Sequence, residues 1–239
     1  MTQLVLDLGP PPAPTLDNFV PGDNAEALAA VRALLAPAAG ATGSRFLYVW
    51  GPAGSGRSHL LRGLLGASPP GAARLLGPGS PEADFVHDPA VRLWLLDDCD
   101  RLDAVRQVAA FHLFNAVQAH ADAALASAGG QPPAQLPAIP ELATRLGWGL
   151  VLHLRPLSDA DTARALERTL AERGVAASAD LVPWLLTHAP RDMGSLRALV
   201  DALDTFALAR KRAITLPLLR EFAQAGLPFD AGGAPRDLP

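Results

Sequence analysis

The chain has 239 residues, of which 49% are hydrophobic and 18% are charged, and its formal net charge is −4. This composition predicts a folded protein of one or two domains and argues against extended, non-specific binding to nucleic-acid phosphates. Because the chain has no run of about 18 apolar residues, no basic and apolar leader and Cys99 as its single cysteine, we expect a cytoplasmic protein without a membrane span or an internal disulfide.

The first 17 residues are interpreted as a peptide on a spacer. Residues 3–8 read QLVLDL, an extended apolar pattern, and Gly9 is followed by three prolines that favour a stiff, polyproline-like segment. Such a peptide suits docking into a groove of another protein. An edge strand added to the chain's own sheet is an equal alternative on this pattern alone.

The strongest pattern follows a predicted helix over residues 25–35, for which Asn24 is the expected N-cap. An apolar run at residues 46–50 predicts a buried strand, residues 51–58 read GPAGSGRS, and a helix with apolar periodicity comes next. This order is typical of a P-loop, in which backbone N–H groups surround phosphate at a helix N-terminus. The phosphate-loop glycines and the hydroxyl expected to bind Mg²⁺ are Gly51, Gly54, Gly56 and Ser58.

Arg57 stands where the P-loop pattern has a lysine. A guanidinium keeps the positive charge but is planar and bulkier than an ammonium. We expect it to hold a β-phosphate more readily than it follows a transferring γ-phosphate. Nucleotide binding should therefore persist, while hydrolysis of the chain's own nucleotide should be weak.

A second signal lies about 40 residues downstream. Residues 91–96 are apolar apart from Arg92 and predict a buried strand that ends at Asp97 and Asp98. In a Walker B segment, the first acid assists Mg²⁺ and the second polarises the attacking water. A strand that ends in solvated acids is common, but the P-loop favours the Walker B interpretation.

The other predicted elements complete an α/β domain and a helical one. Strands are expected over residues 73–76, 123–127 and 150–154, with a helix over 104–121, and Gly129 and Gly130 are expected to interrupt the chain after the second of these strands. From Ser158 only helices are predicted, over residues 158–173, 178–188, 193–210 and 216–225. Residues 226–239 are expected to be a disordered tail.

Three arginines outside the P-loop have two interpretations each. Arg145 ends a short predicted helix beside glycines, an exposed position from which a cation could reach a partner. Arg191 and Arg197 flank the start of the third helix of the helical domain, and either could face a nucleotide. Solvated surface arginines are the more common case.

Several motifs carry a family resemblance: QLVLDL, NFVPGDN, WGPAGSGRSHLL, LLDDCD, PPAQLPAIPELATRLGWG and PLSDAD. With them, the chain resembles AAA+ ATPases of the DnaA kind and, more closely, the DnaA-homologous Hda family of replication-initiation regulators, over about residues 3–225. The resemblance implies an AAA+ α/β P-loop domain with a parallel sheet over residues 18–156 and a small all-helical lid over 157–225.

The same resemblance implies roles for individual residues. QLVLDL is similar to a peptide that docks on the β sliding clamp, and NFVPGDN is similar to a segment that lines an adenine pocket. Arg145 falls on the family's arginine finger, which reaches the nucleotide of a neighbouring subunit, and Arg197 falls on its sensor 2 arginine. The implied clamp contacts are Gln3, Leu4, Leu6 and Leu8, and the nucleotide contacts outside the P-loop glycines are Phe19, Val20, Gly22, Arg57, Ser58, His59 and Arg197.

The implied ligands are ADP or ATP with Mg²⁺, and the implied partners are DnaA, the β sliding clamp of DNA polymerase III and further copies of the chain. One departure is at the sensor 1 position, where Gly129 and Gly130 replace the family's frequent acidic or hydroxyl residue. We expect no strong direct DNA binding, because a tail of 14 residues cannot form a helix-turn-helix.

The resemblance implies a regulator that docks on the DNA-loaded clamp and presents Arg145 to ATP held by DnaA, so that hydrolysis switches initiation off. Two alternatives stay open. One is a clamp-tethered adaptor whose nucleotide is structural, and the other is an independent AAA+ ATPase that acts as a loader or motor.

Overall fold

The computed structural model describes residues 13–36, 44–172, 180–189, 192–212 and 214–224. They belong to two compact units, Pro14–Pro156 and a unit that continues from Leu157. The predicted clamp peptide and the predicted tail lie outside the described residues, so both stay predictions. Within the described ranges, no helix has the length and apolar character needed to cross a membrane.

The first unit is built on a five-stranded sheet in which every pairing is parallel, in the order β2-β3-β4-β1-β5. The strands are β1 (Phe46–Trp50), β2 (Ala73–Leu76), β3 (Leu93–Leu96), β4 (Ala124–Gly129) and β5 (Leu150–His153). Because β1, β4 and β3 are neighbours and parallel, the loops that follow them meet at one edge of the sheet, where such sheets bind ligands.

Helices cover both faces of this sheet. They are α1 (Ala25–Ala33), α2 (Arg57–Ala67), α3 (Ala104–Ala119) and α4 (Pro140–Leu146). Alternate residues of β1 point to opposite faces, so Leu47 and Val49 pack in one apolar cluster with the leucines of α2. Tyr48 packs in the other cluster, with Trp94 and Phe114.

Two strand boundaries differ from the predictions. β3 begins at Leu93 rather than at residue 91, and β4 continues through Gly129, so the prediction that this glycine lies beyond the strand is wrong. Gly129 pairs with Trp50 of β1. A Cβ at Gly129 would lie 2.2 Å from the Tyr48 hydroxyl, so β4 can pack here only because the residue has no side chain.

The first unit also begins earlier than predicted. Residues 14–17 were assigned to the spacer, but Leu16 is buried against α2, and Gly63 makes room for it. The Thr15 carbonyl oxygen lies 2.9 Å from His59 Nε2, and Asp17 forms an ion pair with Arg32. The domain boundary is therefore nearer residue 14 than residue 18.

The second unit contains four helices in its described residues: α5 (Asp159–Glu172), α6 (Leu181–His188), α7 (Met193–Arg210) and α8 (Leu216–Gln224). Apolar residues from all four form one buried cluster. The Asp192 carboxylate caps α7 by accepting the Ser195 N–H at 2.8 Å. These bounds agree with the predicted helices, and the largest difference is at the start of α6.

Candidate nucleotide site and an oriented arginine

The P-loop glycines hold the turn between β1 and α2. Gly54 and Gly56 have φ angles of 78° and 97°, in the left-handed region that favours glycine. A Cβ at Gly51 would lie 2.4 Å from the Leu154 carbonyl oxygen. α2 then begins at Arg57, and its first N–H groups have no helical acceptor, which suits a phosphate group.

Two buried polar atoms beside this turn also fit a phosphate. Ser55 Oγ and Arg57 Nη1 are buried and have no hydrogen-bond partner among the described residues. Leaving a buried donor unpaired costs free energy, more so when it is charged. An anionic ligand with several acceptor oxygens would remove that cost, so these residues fit the phosphates of a nucleotide.

Ser58 and Asp97 form the pair that fits Mg²⁺. The Ser58 hydroxyl donates to the Asp97 carboxylate, which also accepts the Asp98 N–H at 3.0 Å. Burial raises the pKa of Asp97 above its ordinary value, against the opposing effect of these hydrogen bonds. Over the described ranges, no three His, Cys, Asp or Glu side chains cluster to hold a metal. A carboxylate and a hydroxyl are oxygen donors of the kind that Mg²⁺ takes together with phosphate oxygens.

Asp98 lies between two arginines. Its φ angle is 49°, a left-handed conformation that aspartate tolerates better than most residues. Its carboxylate is 4.0 Å from Arg57 Nη2 and 3.6 Å from Arg101 Nη1. The second Walker B acid therefore faces the P-loop arginine directly.

The segment predicted to line an adenine pocket packs against the P-loop. A Cβ at Gly56 would lie 2.7 Å from Phe19 Cε2, and the Phe19 and His59 rings meet edge to face with centroids 5.5 Å apart. Gly22 adopts a φ angle of 49°, and Val20 is half-buried. The structure thus brings these residues to the start of α2, while their contact with a base stays a prediction.

Asn24 stands at the N-cap position of α1, as predicted, but its side chain makes no capping hydrogen bond. Instead, its Nδ2 donates to the Arg155 carbonyl oxygen at 2.9 Å, and its Oδ1 accepts the Arg155 N–H at 2.7 Å. This pair of hydrogen bonds ties the segment before α1 to the chain just after β5.

Arg145 is held at the end of α4 by two other elements. Its Nε donates to Asn115 Oδ1 of α3 at 2.9 Å. Its Cζ lies 3.9 Å from the Trp148 ring centroid and 5.8 Å from that of Phe111. In the part of the chain that the structure describes, no carboxylate lies within ion-pair distance of Arg145. The result is an oriented, uncompensated cation beside an indole that is 53% exposed.

Some predicted site residues are not brought together. Arg197 lies on α7 in the second unit, where it is half-buried, and its role at a nucleotide stays a prediction. Arg191 and the four predicted clamp contacts lie outside the described residues. Sequence reasoning also missed residues that contribute to the candidate site through contacts with residues distant in the chain. These are Ser55, Asp100, Asn115 and Trp148.

Residues 159–222 match a family model described as the Hda lid domain. The described helices α5 to α8 occupy this range. The match therefore covers the helical unit that the sequence predicted as a lid.

Solved structures resemble the chain over most of its length. Domain III of the Thermotoga maritima replication initiation protein DnaA matches with a TM-score of 0.72 and 19% identity, over 88% of this chain and 98% of that one. AMPPCP-bound DnaA from Aquifex aeolicus matches with a TM-score of 0.65 and 18% identity, over 83% and 66%.

A structure of the Thermotoga maritima RuvB Holliday junction branch migration motor matches with a TM-score of 0.64 and 12% identity, over 91% of this chain and 72% of that one. These similarities confirm the predicted AAA+ α/β fold with a helical lid.

Proposed function

We propose that this chain, whose residues 159–222 match the Hda lid domain and whose fold resembles that of DnaA domain III, is a nucleotide-bound regulator that stimulates ATP hydrolysis by DnaA while docked on the DNA-loaded β sliding clamp. Arg145 is the residue that acts on the partner's nucleotide. The bound nucleotide of the chain itself, ADP in the working state, sets its shape and its assembly.

The geometry of Arg145 is the observation that carries this proposal. One nitrogen of the guanidinium is fixed by Asn115 and one face by Trp148, so the side chain is oriented without being neutralised. An arginine supplied in trans can accelerate nucleotide hydrolysis by about 10³ to 10⁵. A cation oriented before the partner arrives is what such a role requires.

Exposed apolar residues on α3, the helix that holds this arginine through Asn115, support docking of a protein partner. Val105 and Val108 are 55% and 44% exposed on α3, the helix that carries Asn115, and Trp148 is 53% exposed. Aromatic and apolar groups around an arginine are typical of interface centres. We assign this surface to contact with the nucleotide-bound AAA+ domain of DnaA.

The P-loop supports a bound but seldom hydrolysed nucleotide. Ser55, Arg57 and the α2 N-terminus would hold phosphates, and Ser58 and Asp97 would hold Mg²⁺. Mg²⁺ would neutralise phosphate charge when bound. Arg57 lies near the Asp98 carboxylate, so the residue expected to polarise water is partly compensated by a cation.

The test measures phosphate release from purified, ATP-loaded DnaA of the same organism, with the clamp loaded on DNA, in the presence and absence of this protein. R145A removes the cation, and R145K keeps the charge without the planar fork. R168A, on the exposed α5 pair with Glu172, is the matched arginine control. A double alanine variant at Gln3 and Leu8 tests the clamp peptide.

The proposal expects the wild-type protein to increase phosphate release from DnaA strongly. R145A should abolish this increase, R145K should produce only a small part of it, and R168A should retain it. The Gln3 and Leu8 variant should lose stimulation together with clamp binding, whereas R145A should still bind the clamp. The adaptor would be favoured if the intact protein binds the clamp, does not stimulate DnaA and releases negligible phosphate from its own nucleotide. The independent motor would require substantial turnover by the chain alone.

A further inference from the structure

The first and last glycines of the phosphate loop are each touched by a segment from elsewhere in the first unit. The atom nearest to a Cβ placed on Gly51 is the Leu154 carbonyl oxygen, at 2.4 Å. The atom nearest to a Cβ placed on Gly56 is Phe19 Cε2, at 2.7 Å. Leu154 follows β5 and Phe19 precedes α1, and both side chains are buried. The loop is therefore in close contact with the chain before α1 and with the chain after β5.

Asn24 joins these two segments to each other. Its Oδ1 accepts the Arg155 N–H at 2.7 Å, and its Nδ2 donates to the Arg155 carbonyl oxygen at 2.9 Å. Asn24 is 3% exposed, so breaking either hydrogen bond would leave a polar atom of a buried side chain unpaired. A second link, the ion pair of Asp23 with the Arg155 side chain at 3.8 Å, is largely exposed and contributes little. Asn24 is thus the firm connection between the two segments.

We infer that Asn24 is a positioning residue for the phosphate loop. By tying together the two segments that touch Gly51 and Gly56, it holds the loop in the shape that binds phosphate. Backbone N–H groups bind an anion best when their turn is already formed, because ordering a loose loop on binding costs free energy. Asn24 acts through these segments and needs no contact with the nucleotide. The inference rests on the proposed nucleotide binding and names a residue that sets the loop before the nucleotide arrives.

Two substitutions at Asn24 separate its hydrogen bonds from the space that it fills. N24A removes both, whereas N24L removes the hydrogen bonds and keeps a side chain of similar size. The matched control is Q107A, because Gln107 is a second buried amide that ties two backbone segments. It donates to the Leu102 carbonyl oxygen and accepts the Ile139 N–H, each at 2.8 Å. Neither of those residues supplies the atoms nearest to the two loop glycines.

The first measurement is amide hydrogen exchange of the full chain without nucleotide, read by mass spectrometry. Within residues 51–60, the N–H groups of Gly51, Ser55 and Leu60 donate to backbone carbonyl oxygens. We expect N24A and N24L to speed exchange of this stretch by about tenfold, the effect of losing about one buried hydrogen bond, and to leave α3 unchanged. Q107A should speed exchange in α3 and leave residues 51–60 unchanged. Wild-type exchange of residues 51–60 in both Asn24 variants would overturn the inference.

The second measurement is competition of ADP and of inorganic pyrophosphate, each with Mg²⁺, against a fluorescent ADP analogue. Pyrophosphate has no base, so it reports on the phosphate loop alone. We expect N24A and N24L to weaken both ligands by about tenfold and Q107A to change neither by more than about twofold. Weaker ADP binding with unchanged pyrophosphate binding would assign Asn24 to the base-contact segment and overturn its role at the loop. Failure of the wild type to bind ADP would refute the proposed nucleotide role, while hydrogen exchange would still judge whether Asn24 shapes the loop.

Discussion

The Trp148 indole and the Arg145 guanidinium stack, with the arginine Cζ 3.9 Å from the ring centroid. A cation over the face of tryptophan gains about 0.5–1 kcal/mol at an exposed site. Because about half of Trp148 is also exposed, it orients Arg145 and leaves accessible apolar area at the same place.

We predict that W148A lowers the stimulated phosphate release of DnaA by about two- to tenfold, because Arg145 loses its aromatic support but keeps its charge. W148F should retain most of the activity, since the ring face remains. Steady-state phosphate release at several protein concentrations is the measurement. Equal activity of W148A and the wild type would show that Asn115 alone suffices to orient the arginine.

A substitution at Asn115 tests whether the proposed role of Arg145 depends on its having no carboxylate partner. N115D places an anion against the arginine Nε and would form an ion pair in a half-buried position. We predict that N115D reduces stimulation more than N115A does, because the ion pair competes with the partner's phosphates for the guanidinium. Raising the salt concentration should narrow the difference between the two variants.

At Gly129 we predict a strongly destabilising effect of a single methyl group. G129A should lower the free energy of unfolding by about 1–3 kcal/mol, because its Cβ would overlap the Tyr48 hydroxyl. Y48F removes that hydroxyl, together with its hydrogen bond to the Gln131 carbonyl oxygen. Urea unfolding of G129A in the Y48F background should therefore show a smaller cost than in the wild type.

Arg45 should be a major stabilising residue at the C-terminus of α3. Its two terminal nitrogens donate to carbonyl oxygens of Val117, Gln118, His120 and Ala123. R45M keeps the apolar stem but removes these donors, and we expect a loss of about 1.5–3 kcal/mol in the free energy of unfolding. R45K should recover only part of it, since an ammonium lacks the fork geometry; full recovery would contradict this account.

We predict that His87 makes the folded protein less stable at acidic pH. Burial, followed by the neighbouring His120 ring at a centroid distance of 4.1 Å, lowers the pKa of His87, against the opposing charges of Asp88 and Asp122. In the unfolded chain His87 binds a proton near the ordinary histidine pKa of about 6.5, whereas in the folded chain it binds one only at lower pH. Stability is therefore complete above that pH and falls as the pH drops below it.

The check is the urea midpoint of the wild type and of H87Q at about pH 7.5 and about pH 5.5. The wild type should lose more stability between these conditions than H87Q, which lacks the titrating ring. An identical loss in both proteins would assign the acid sensitivity to other groups.

Much of the fold was predictable because its signals are local. The apolar run of β1, the glycine spacing of the P-loop and the apolar periodicity of α7 each lie within one short stretch. The end of β4 was not, since Gly129 continues the strand by pairing with Trp50 of β1, a residue far away in the sequence. No local pattern reports such a contact.

The candidate site shows the same division. Residues within a motif, such as Ser58 and Asp97, were identifiable from their spacing. Asn115 was not, because its partner Arg145 lies on another helix. Neither was Asp100, which follows β3 and contacts Gly130 at the end of the neighbouring strand β4. The positions of these two residues in the site result from the packing of separate helices and strands, which no local sequence pattern reports.

The left-handed backbone of Asp98 bears on how this position can change over evolutionary time. Glutamate lacks the short side chain that makes this conformation tolerable, whereas asparagine adopts it about as readily as aspartate. A lineage could therefore discard the carboxylate by the single-base change from aspartate to asparagine without straining the loop. Glutamate is also one base change away, but in this left-handed conformation it would lose about 1–2 kcal/mol, so the backbone of the loop favours asparagine over the longer acid.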